Sequence, residues 1–521
     1  MNHKLSSPHL FSFLPLGGVG GGFRGFRGFV GFIIPLFTLQ AHANDSILIN
    51  KTEYEMGRVR FNNKVLASPA LRNLSQQPSL SEISIVGNSQ PSAKDKIPQM
   101  GNGGRYFKVE ASSFQHLGKG KVVWGNASYK NGRKYDVRWN ETSDFLLLYP
   151  YVMADGRGGD LKYEEYKLDG GYSAQHQKIL YGVDLGYRAL SEYRDRDPRP
   201  NNTVADLYAR LGIGYKISTG YSIALTFDAG KYKQTNELAY YNELGAQKEY
   251  HITGIGNDFA RFSGQSNNCF YKGYNLGGEL NLASNSGTGW SASAGYMYTN
   301  KEKVLTDLNR LPLNELKINS LNGGVGYNTE VYGVRAYGSY TERNGYDNIF
   351  GDATGNIYPQ IGSKKQYNAK VANVSLDGFY TIRTNKSINI NIEPTVGYHS
   401  FKSSHLSSAN TFDSDDLLLG VSGNIIYAKG SNMLSARINA KRRSDLSSSV
   451  NIYNSISKEM TETLQSISDY LKDGETSFAI GAEYSRRVMG NKAISVGFTW
   501  GHSIYQATGS NMYEAKLSFA L

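Results

Sequence analysis

The chain has 521 residues, among them 58 Gly, 38 Tyr, 13 Pro and a single Cys, with 40% in the hydrophobic set and 56 Lys+Arg against 45 Asp+Glu for a net charge of +11. Tyr and Gly at this level without a Gly-X-Y period exclude collagen and a disordered tail, and Cys269 alone excludes an internal disulfide framework. The excess charge is spread thinly: its densest spot, Lys441-Arg442-Arg443, reads as a solvated strand end, so nucleic acid is not an expected partner.

Residues 1–43 hold no Asp or Glu, carry Lys4, Arg24 and Arg27, and run through Phe29–Phe37 into Ala41-His42-Ala43. A basic start, a short apolar run and an Ala-x-Ala site describe a secretory signal cleaved near Ala43/Asn44. The run is too short for a spanning helix of about 20 residues. Its loss removes three cations and leaves 478 residues at +8.

From there the sequence alternates. Ile223, Leu225 and Phe227 face one way and Ala224, Thr226 and Asp228 the other; Val183, Leu185 and Tyr187 oppose Asp184, Gly186 and Arg188; Ile494, Val496, Phe498 and Trp500 oppose Ser495, Gly497 and Thr499. Period two with one apolar face predicts strands. The apolar faces begin and end in Tyr or Trp, as at Trp290 and Tyr298 or Tyr332 and Tyr340, where an amphipathic ring suits a membrane–water boundary. Short connections such as Ser218-Thr219-Gly220 and Lys429-Gly430-Ser431 take turns with long polar ones near 131–160, 236–268, 346–366 and 448–473. Short turns at one end and long loops at the other are the asymmetry of outer-membrane barrels. Because hydrocarbon leaves no backbone group unpaired, the sheet must close.

In chain order, strands are predicted near 80–88, 105–117, 120–131, 162–176, 179–192, 203–217, 220–235, 271–284 and 289–302. The second half continues near 315–328, 331–344, 367–383, 387–402, 414–428, 431–446, 475–488, 492–506 and 510–521. The fold class is therefore all-β: a transmembrane antiparallel up-and-down β-barrel of about 18 strands, or 16 without the short first segment. The chain ends Tyr513-Glu-Ala-Lys-Leu517-Ser-Phe519-Ala-Leu521, alternating to the last residue like the terminal strand read by the barrel-assembly machinery. The organisation is a signal peptide (1–43), an N-terminal periplasmic or luminal segment (44–79) and the barrel (80–521).

Three segments carry a family resemblance: Trp124-Gly-Asn-Ala-Ser-Tyr129-Lys-Asn-Gly132; Trp139-Asn-Glu141 with Tyr149-Pro150-Tyr151, Asp155 and Gly158-Gly159-Asp160; and Tyr193-Arg194-Asp-Arg-Asp197-Pro198-Arg199-Pro200-Asn201. Together they resemble an uncharacterised, porin-like family of outer-membrane β-barrels from Bacteroidota-type bacteria, over most of the mature chain. The resemblance implies the barrel and a Gram-negative outer membrane, and supplies no catalytic residue and no cofactor.

On the polar faces Asp184, Arg188, Arg210, Lys216, Asp228 and Glu279, then Arg335, Asp377, Glu393, Arg437, Lys441 and Glu483, are predicted to line the lumen. Such residues set solute selectivity or pair across the lumen and stiffen the wall. In the outer loops Phe145–Tyr151 is too apolar for an exposed tip, so Trp139, Tyr149 and Tyr151 are expected to pack at the lumen mouth or meet a ligand. Asp155 and Asp160, with Arg157 between them, are candidates for a cation or solute, and Asp413, Asp415 and Asp416 for a weak metal site in an acidic loop. Ile456, Met460, Leu464, Ile467 and Leu471 predict an amphipathic helix that caps the pore or docks a neighbour, and Cys269 falls in an outer loop region.

No nucleophile elbow or zinc-spaced His pair is present, and Ser is so abundant that its closeness to His399, His405 or His502 means little. A barrel hydrolase is the remote alternative, and no enzyme activity is expected. The 36 residues before the first strand are too few for the large plug of a TonB-dependent transporter. The expected role is a porin-like channel or an accessory for small-solute uptake. The alternative is a non-conducting barrel that scaffolds lipoproteins or a TonB-dependent partner. Outer-membrane lipid and the assembly machinery are the other expected partners.

Overall fold

The computed structural model describes residues 47–91, 97–242, 248–264, 268–355, 357–385, 387–488, 490–505 and 508–521; the leader and its cleavage point lie outside them. Eighteen strands form one closed antiparallel sheet. The first seven are β1 (Leu80–Gln90), β2 (Gly104–Gly118), β3 (Lys121–Val137), β4 (Gly159–His176), β5 (Ile179–Tyr193), β6 (Arg199–Lys216) and β7 (Tyr221–Ala239). Then come β8 (Cys269–Ser284), β9 (Gly289–Leu305), β10 (Leu311–Asn328), β11 (Tyr332–Phe350), β12 (Gln360–Asn385) and β13 (Ile388–His405). The circuit ends with β14 (Asn410–Lys429), β15 (Asn432–Asn451), β16 (Glu475–Arg487), β17 (Ala493–Tyr505) and β18 (Thr508–Ala520). Each strand pairs with its sequence neighbours, and β1 pairs with β18 from Glu82↔Ala520 to Ser89↔Tyr513, which closes the circle. All eighteen predicted segments are strands. Cys269 is corrected from the loop to the first residue of β8, where it is buried.

The alternation fixes which face meets lipid. Leu185 and Leu211 are 51% and 57% exposed on the outside, whereas Leu180 and Ala224, on the opposite parity, are sealed. An outward belt this apolar is stable only against hydrocarbon. Aromatic rings edge it. Trp290, Tyr327 and Tyr332 form a row near the short turns, with centroids 5.2 and 6.4 Å apart, and Tyr274–Tyr298 and Tyr129–Tyr166 pair towards the loops.

Many strands run further towards the loops than the alternation of apolar residues reaches. The longest, β12, has 26 residues, where about 9–11 cross a bilayer. Beyond the belt the outer face meets water, so hydrogen-bonded ladders persist there without an outward apolar stripe.

Inside the wall at the short-turn end sit α1 (Ile47–Tyr54), α2 (Gly57–Val65) and a 3-10 turn, Pro69–Leu74. Ile47, Leu48 and Met56 pack on Leu80, Ile426 and Met433, while Leu66, Ala70 and Leu71 pack on Leu180, Ala224 and Ala283. The remaining contacts are polar. Lys51 reaches Glu82 at 3.1 Å and Glu483 at 2.6 Å, Arg60 pairs with Glu393, and Asn62 donates to the Gly287 carbonyl at 3.0 Å.

The 3-10 turn lies so close to the wall that a Cβ on Gly182 would fall 2.2 Å from the Pro69 carbonyl oxygen. Gly182→Val is therefore expected to push Pro69–Leu74 off the wall at about 1–3 kcal/mol while the barrel still closes. Faster proteolysis within 47–79, with unchanged heat-modifiable gel mobility, is the measurement.

Candidate functional site: a charge-balanced chamber at the seam

The opposite end is filled by inturned loops. Residues 138–158, 240–242, 248–264 and 452–474 contribute α3 (Phe145–Leu148), α4 (Lys458–Asp473) and three short strands, Met153–Ala154, Tyr250–Gly254 and Asn257–Asp258, paired as a small sheet. Their apolar residues make a buried core of their own: Leu148, Val152, Met153, Ile252, Ile255 and Phe262 meet the wall residues Tyr232, Tyr271, Leu305 and Tyr367. The predicted helix is α4. The Ser457 hydroxyl accepts from the Met460 N–H at 3.1 Å as its N-cap, and Met460, Leu464 and Ile467 face the core. Its last carbonyls, Tyr470 and Leu471, accept from Arg443 at 3.1 and 2.8 Å. The basic triplet is thus corrected in part: Lys441 and Arg442 are solvated, within β15 and not at its end, whereas Arg443 faces inward onto a helix end.

One polar knot holds the cap. Arg194 is 2% exposed and its Nη2 lies 2.7 Å from Asp155 and 3.4 Å from Glu141, both fully buried. Buried Glu249 hydrogen-bonds Tyr240 and faces Glu141. Burial pushes the Glu249 carboxyl up to about 7, and burial with two neighbouring carboxylates pushes Glu141 well above its usual range. The family-bearing segments meet here, Glu141 and Asp155 from one and Arg194 from another.

This arrangement revises the outer-loop candidates. Asp155 is occupied by Arg194 and by the backbone N–H groups of Arg157 and Gly158, both at 2.7 Å, so it is a structural group and closed to solute. Trp139 is 6% exposed beside Tyr250, Tyr149 accepts from the Ile255 N–H at 2.8 Å, and Tyr151 is sealed against Leu316 and Ile318. All three pack the cap. Asp160 alone stays in solvent, accepting from the Asp136 N–H. The acidic triplet is strand β14 and not a loop. Alternation sends Asp416 inward to Arg443 at 3.0 Å, whereas Asp415 faces out to the Tyr398 hydroxyl and Asp413 shares its parity. The three cannot share an ion, and no metal-ligating group occurs among the described residues.

The twelve lumen candidates share the inward parity. Several are tied to one another or to the N-terminal segment. Arg210 pairs with Asp228 at 2.6 Å and Glu279 at 3.8 Å and donates to the Ala67 carbonyl; Arg188 pairs with Asp144 of the cap. Glu393 holds Arg60, Asp377 accepts from Thr395 and Ser375, and Arg335 lies over Tyr337. Asp184, Lys216 and Lys441 share the face.

Arg437 and Glu483 open onto something larger. The cap's apolar core takes no residue from β16, β17, β18 or β1. On that side a cavity of about 740 Å3 remains between the N-terminal segment and strands β1, β2, β3 and β15 to β18. Five cations and five carboxylates line it. Most are paired: Lys51 and Lys516 each contact both Glu82 and Glu483, Lys108 binds Glu110 at 2.7 Å, and Arg437 lies 4.0 Å from Glu55. Glu514 accepts from Asn88 at 3.2 Å. Arg72 instead lies between the rings of Phe114 and Trp124, at 5.8 and 5.5 Å.

Sequence reasoning passed over most of this lining. Glu514 and Lys516 carry the same parity signal as Glu483, so the alternation of the last strand marks them. Lys51, Glu55 and Arg72 lie in a segment with no strand period to mark a face.

No curated protein matches this chain. Among solved structures it is similar to a bacterial polysaccharide outer membrane secretin (11% identity, TM-score 0.35, 84% of this chain and 97% of that one). It is also similar to BauA, the ferric preacinetobactin receptor from Acinetobacter baumannii (9%, 0.40, 85% and 80%), and to the copper transporter OprC (12%, 0.38, 85% and 83%). A family model matches residues 69–521, which hold every barrel strand and the whole cap, and the chain belongs to that family, the family of unknown function DUF6850.

Proposed function

We propose that this chain is an outer-membrane barrel for small-solute passage, in which the seam-side chamber is the solute path and residues 47–79 are its gate. The observation that carries the reading is the polar chamber of about 740 Å3 inside a lipid-facing wall. A barrel built only as a scaffold gains nothing from ten ionisable groups around a void, because desolvated charge costs free energy unless it is fully paired. The gate is held at its rim by a few ion pairs and two small apolar patches, which is a releasable attachment.

The short turns and both barrel termini face the periplasm in this reading, the loops face outward, and export follows cleavage near Ala43/Asn44. Lipid and the assembly machinery are its partners. The reading includes no enzyme activity. His399 pairs with Asn373 and His502 with Asn511; His405 meets Ser408 at 2.9 Å and Thr253 at 3.3 Å, with no carboxylate among these contacts to orient a base.

The second reading, a non-conducting scaffold for a lipoprotein or a TonB-dependent partner, draws support from the cap, whose packed core gives the outer face a fixed shape. Single-channel recording in planar bilayers separates the two. The mature chain is expected to show rare openings and the same chain without residues 47–79 frequent ones. Silence from both overturns the transport reading.

A further inference from the structure

The chamber's charges are balanced in number but not in pairing. Arg72 lines it from the 3-10 turn with two aromatic rings about its guanidinium, a buried Nε that meets no acceptor and, among the described residues, no carboxylate within 4 Å. Glu55 lines it from the bend between α1 and α2; its Oε2 is buried and accepts no hydrogen bond, and the cation closest in its ion pairing, Arg437, is 4.0 Å away. Elsewhere in the chamber Lys51, Lys516 and Lys108 are matched to Glu82, Glu483 and Glu110. Glu514, which no cation reaches among the described residues, has its carboxylate held by Asn88 and Tyr106. Arg72 is thus left with no ion pair and Glu55 with one long pair and an oxygen that accepts nothing, and a buried charged group short of partners costs more than a lost hydrogen bond.

We infer that the chamber binds a zwitterionic solute, an α-amino acid or short peptide whose carboxylate engages Arg72 and whose ammonium engages Glu55. A planar guanidinium takes a carboxylate in two parallel hydrogen bonds, and the flanking Phe114 and Trp124 hold its plane. A free anion satisfies Arg72 alone and enters among five carboxylates. A free cation satisfies Glu55 and leaves Arg72 bare. Only a ligand carrying both charges completes both groups while keeping the chamber neutral. The volume suits a small ligand, since such pockets span about 300–1,000 Å3. Both groups belong to the segment 47–79, so a bound zwitterion touches the gate as well as the wall. The assignment concerns what the chamber holds and stands whether or not the barrel conducts.

The test uses the full mature chain folded in detergent micelles, equilibrated by dialysis against triglycine, N-acetyltriglycine or triglycine amide, with calorimetry and tryptophan fluorescence as readouts. Triglycine is expected to bind saturably, and blocking either end to weaken it about tenfold or more. Arg72→Gln is expected to weaken triglycine by a similar factor while leaving the amide unchanged, and Glu55→Gln to weaken triglycine while leaving the acetylated peptide unchanged. Equal binding of the three peptides, no saturable binding of triglycine, or indifference to both substitutions overturns the inference. Protease protection of residues 47–79 reports whether each variant keeps the gate seated. If either loses it, the three-peptide comparison on the unsubstituted chain decides alone. A chain that binds triglycine as described but never conducts supports this assignment and overturns the transport reading.

Discussion

Lys51→Met is expected to turn a mostly closed barrel into one with frequent openings. The Lys51 ammonium is 3% exposed and sits between Glu82 at 3.1 Å and Glu483 at 2.6 Å, with the Ser495 hydroxyl at 2.6 Å. Methionine keeps the length of the stem and removes the charge. Two carboxylates that shared Lys51 and Lys516 are then left with Lys516 alone. Breaking a buried pair by removing one partner costs about 3–5 kcal/mol, and the residues that carry the loss are those that seat the N-terminal segment. Since 1.4 kcal/mol is tenfold, the seated population falls by roughly two to three orders of magnitude relative to the released one. Open probability in single-channel records and the rate of proteolysis within 47–79 should rise together. Adding Glu483→Gln should restore part of the closure, because it removes the charge that Lys51 no longer balances. An unchanged cleavage rate in Lys51→Met would show that the ion pairs do not hold the gate.

Arg194→Met is expected to melt the cap at neutral pH and spare it in acid. Arg194 is the cation at the centre of Glu141 and Asp155, with Glu249 alongside. Its loss leaves three buried carboxylates without it, again at about 3–5 kcal/mol. Protonation relieves this repulsion, so the deficit shrinks as the pH falls.

The unsubstituted cap carries a weaker version of the same dependence. Glu249 in the folded cap holds its proton up to about pH 7, against 4.5 for a free carboxyl, because burial disfavours its charge. The folded state thus binds more protons than the unfolded one between those values. Cap stability therefore declines as pH rises from about 4.5 through 7, and the raised Glu141 carboxyl acts in the same direction. Hydrogen exchange in residues 138–158 and 248–264, measured from pH 5 to 8, should quicken with pH beyond its intrinsic base catalysis, and much more steeply in Arg194→Met. Equal protection of the two proteins at pH 7 would remove Arg194 from this role.

What was legible in the sequence follows from where two media meet. Leu185, Leu211 and Phe227 had to alternate with Asp184, Arg210 and Asp228 because lipid lies on one side of a two-sided ribbon and a polar lumen on the other, so the strands and their inward parity could be read directly. The signal stops where that contrast stops. Asp413 and Asp415 extend β14 above the belt with water outside, and nothing in their composition separates a strand from a loop. The cap was half legible: Met460, Leu464 and Ile467 announced a helix, and Phe145–Tyr151 was too apolar to be free. The ring of Glu141, Asp155, Glu249 and Arg194 joins residues more than one hundred positions apart, and no local pattern records such a meeting. The helices of 47–79 are short and take their order from the wall they touch.

The closure between β1 and β18 has a consequence for how the molecule is made. Glu82 belongs to the first strand, Glu483 and Lys516 to the last turns of the circuit, and Lys51 to a helix that precedes them all. When the first and last strands zip together, two carboxylates come face to face with one lysine between them, and the fourth charge arrives only when the helix enters. Residues that precede every barrel strand in the chain are thus the ones that complete the join made last. A barrel whose N-terminal segment has been lost or has strayed closes onto an unbalanced seam, and the fidelity of biogenesis is written into the same two ion pairs, Lys51 to Glu82 and Lys51 to Glu483, that seat the N-terminal segment.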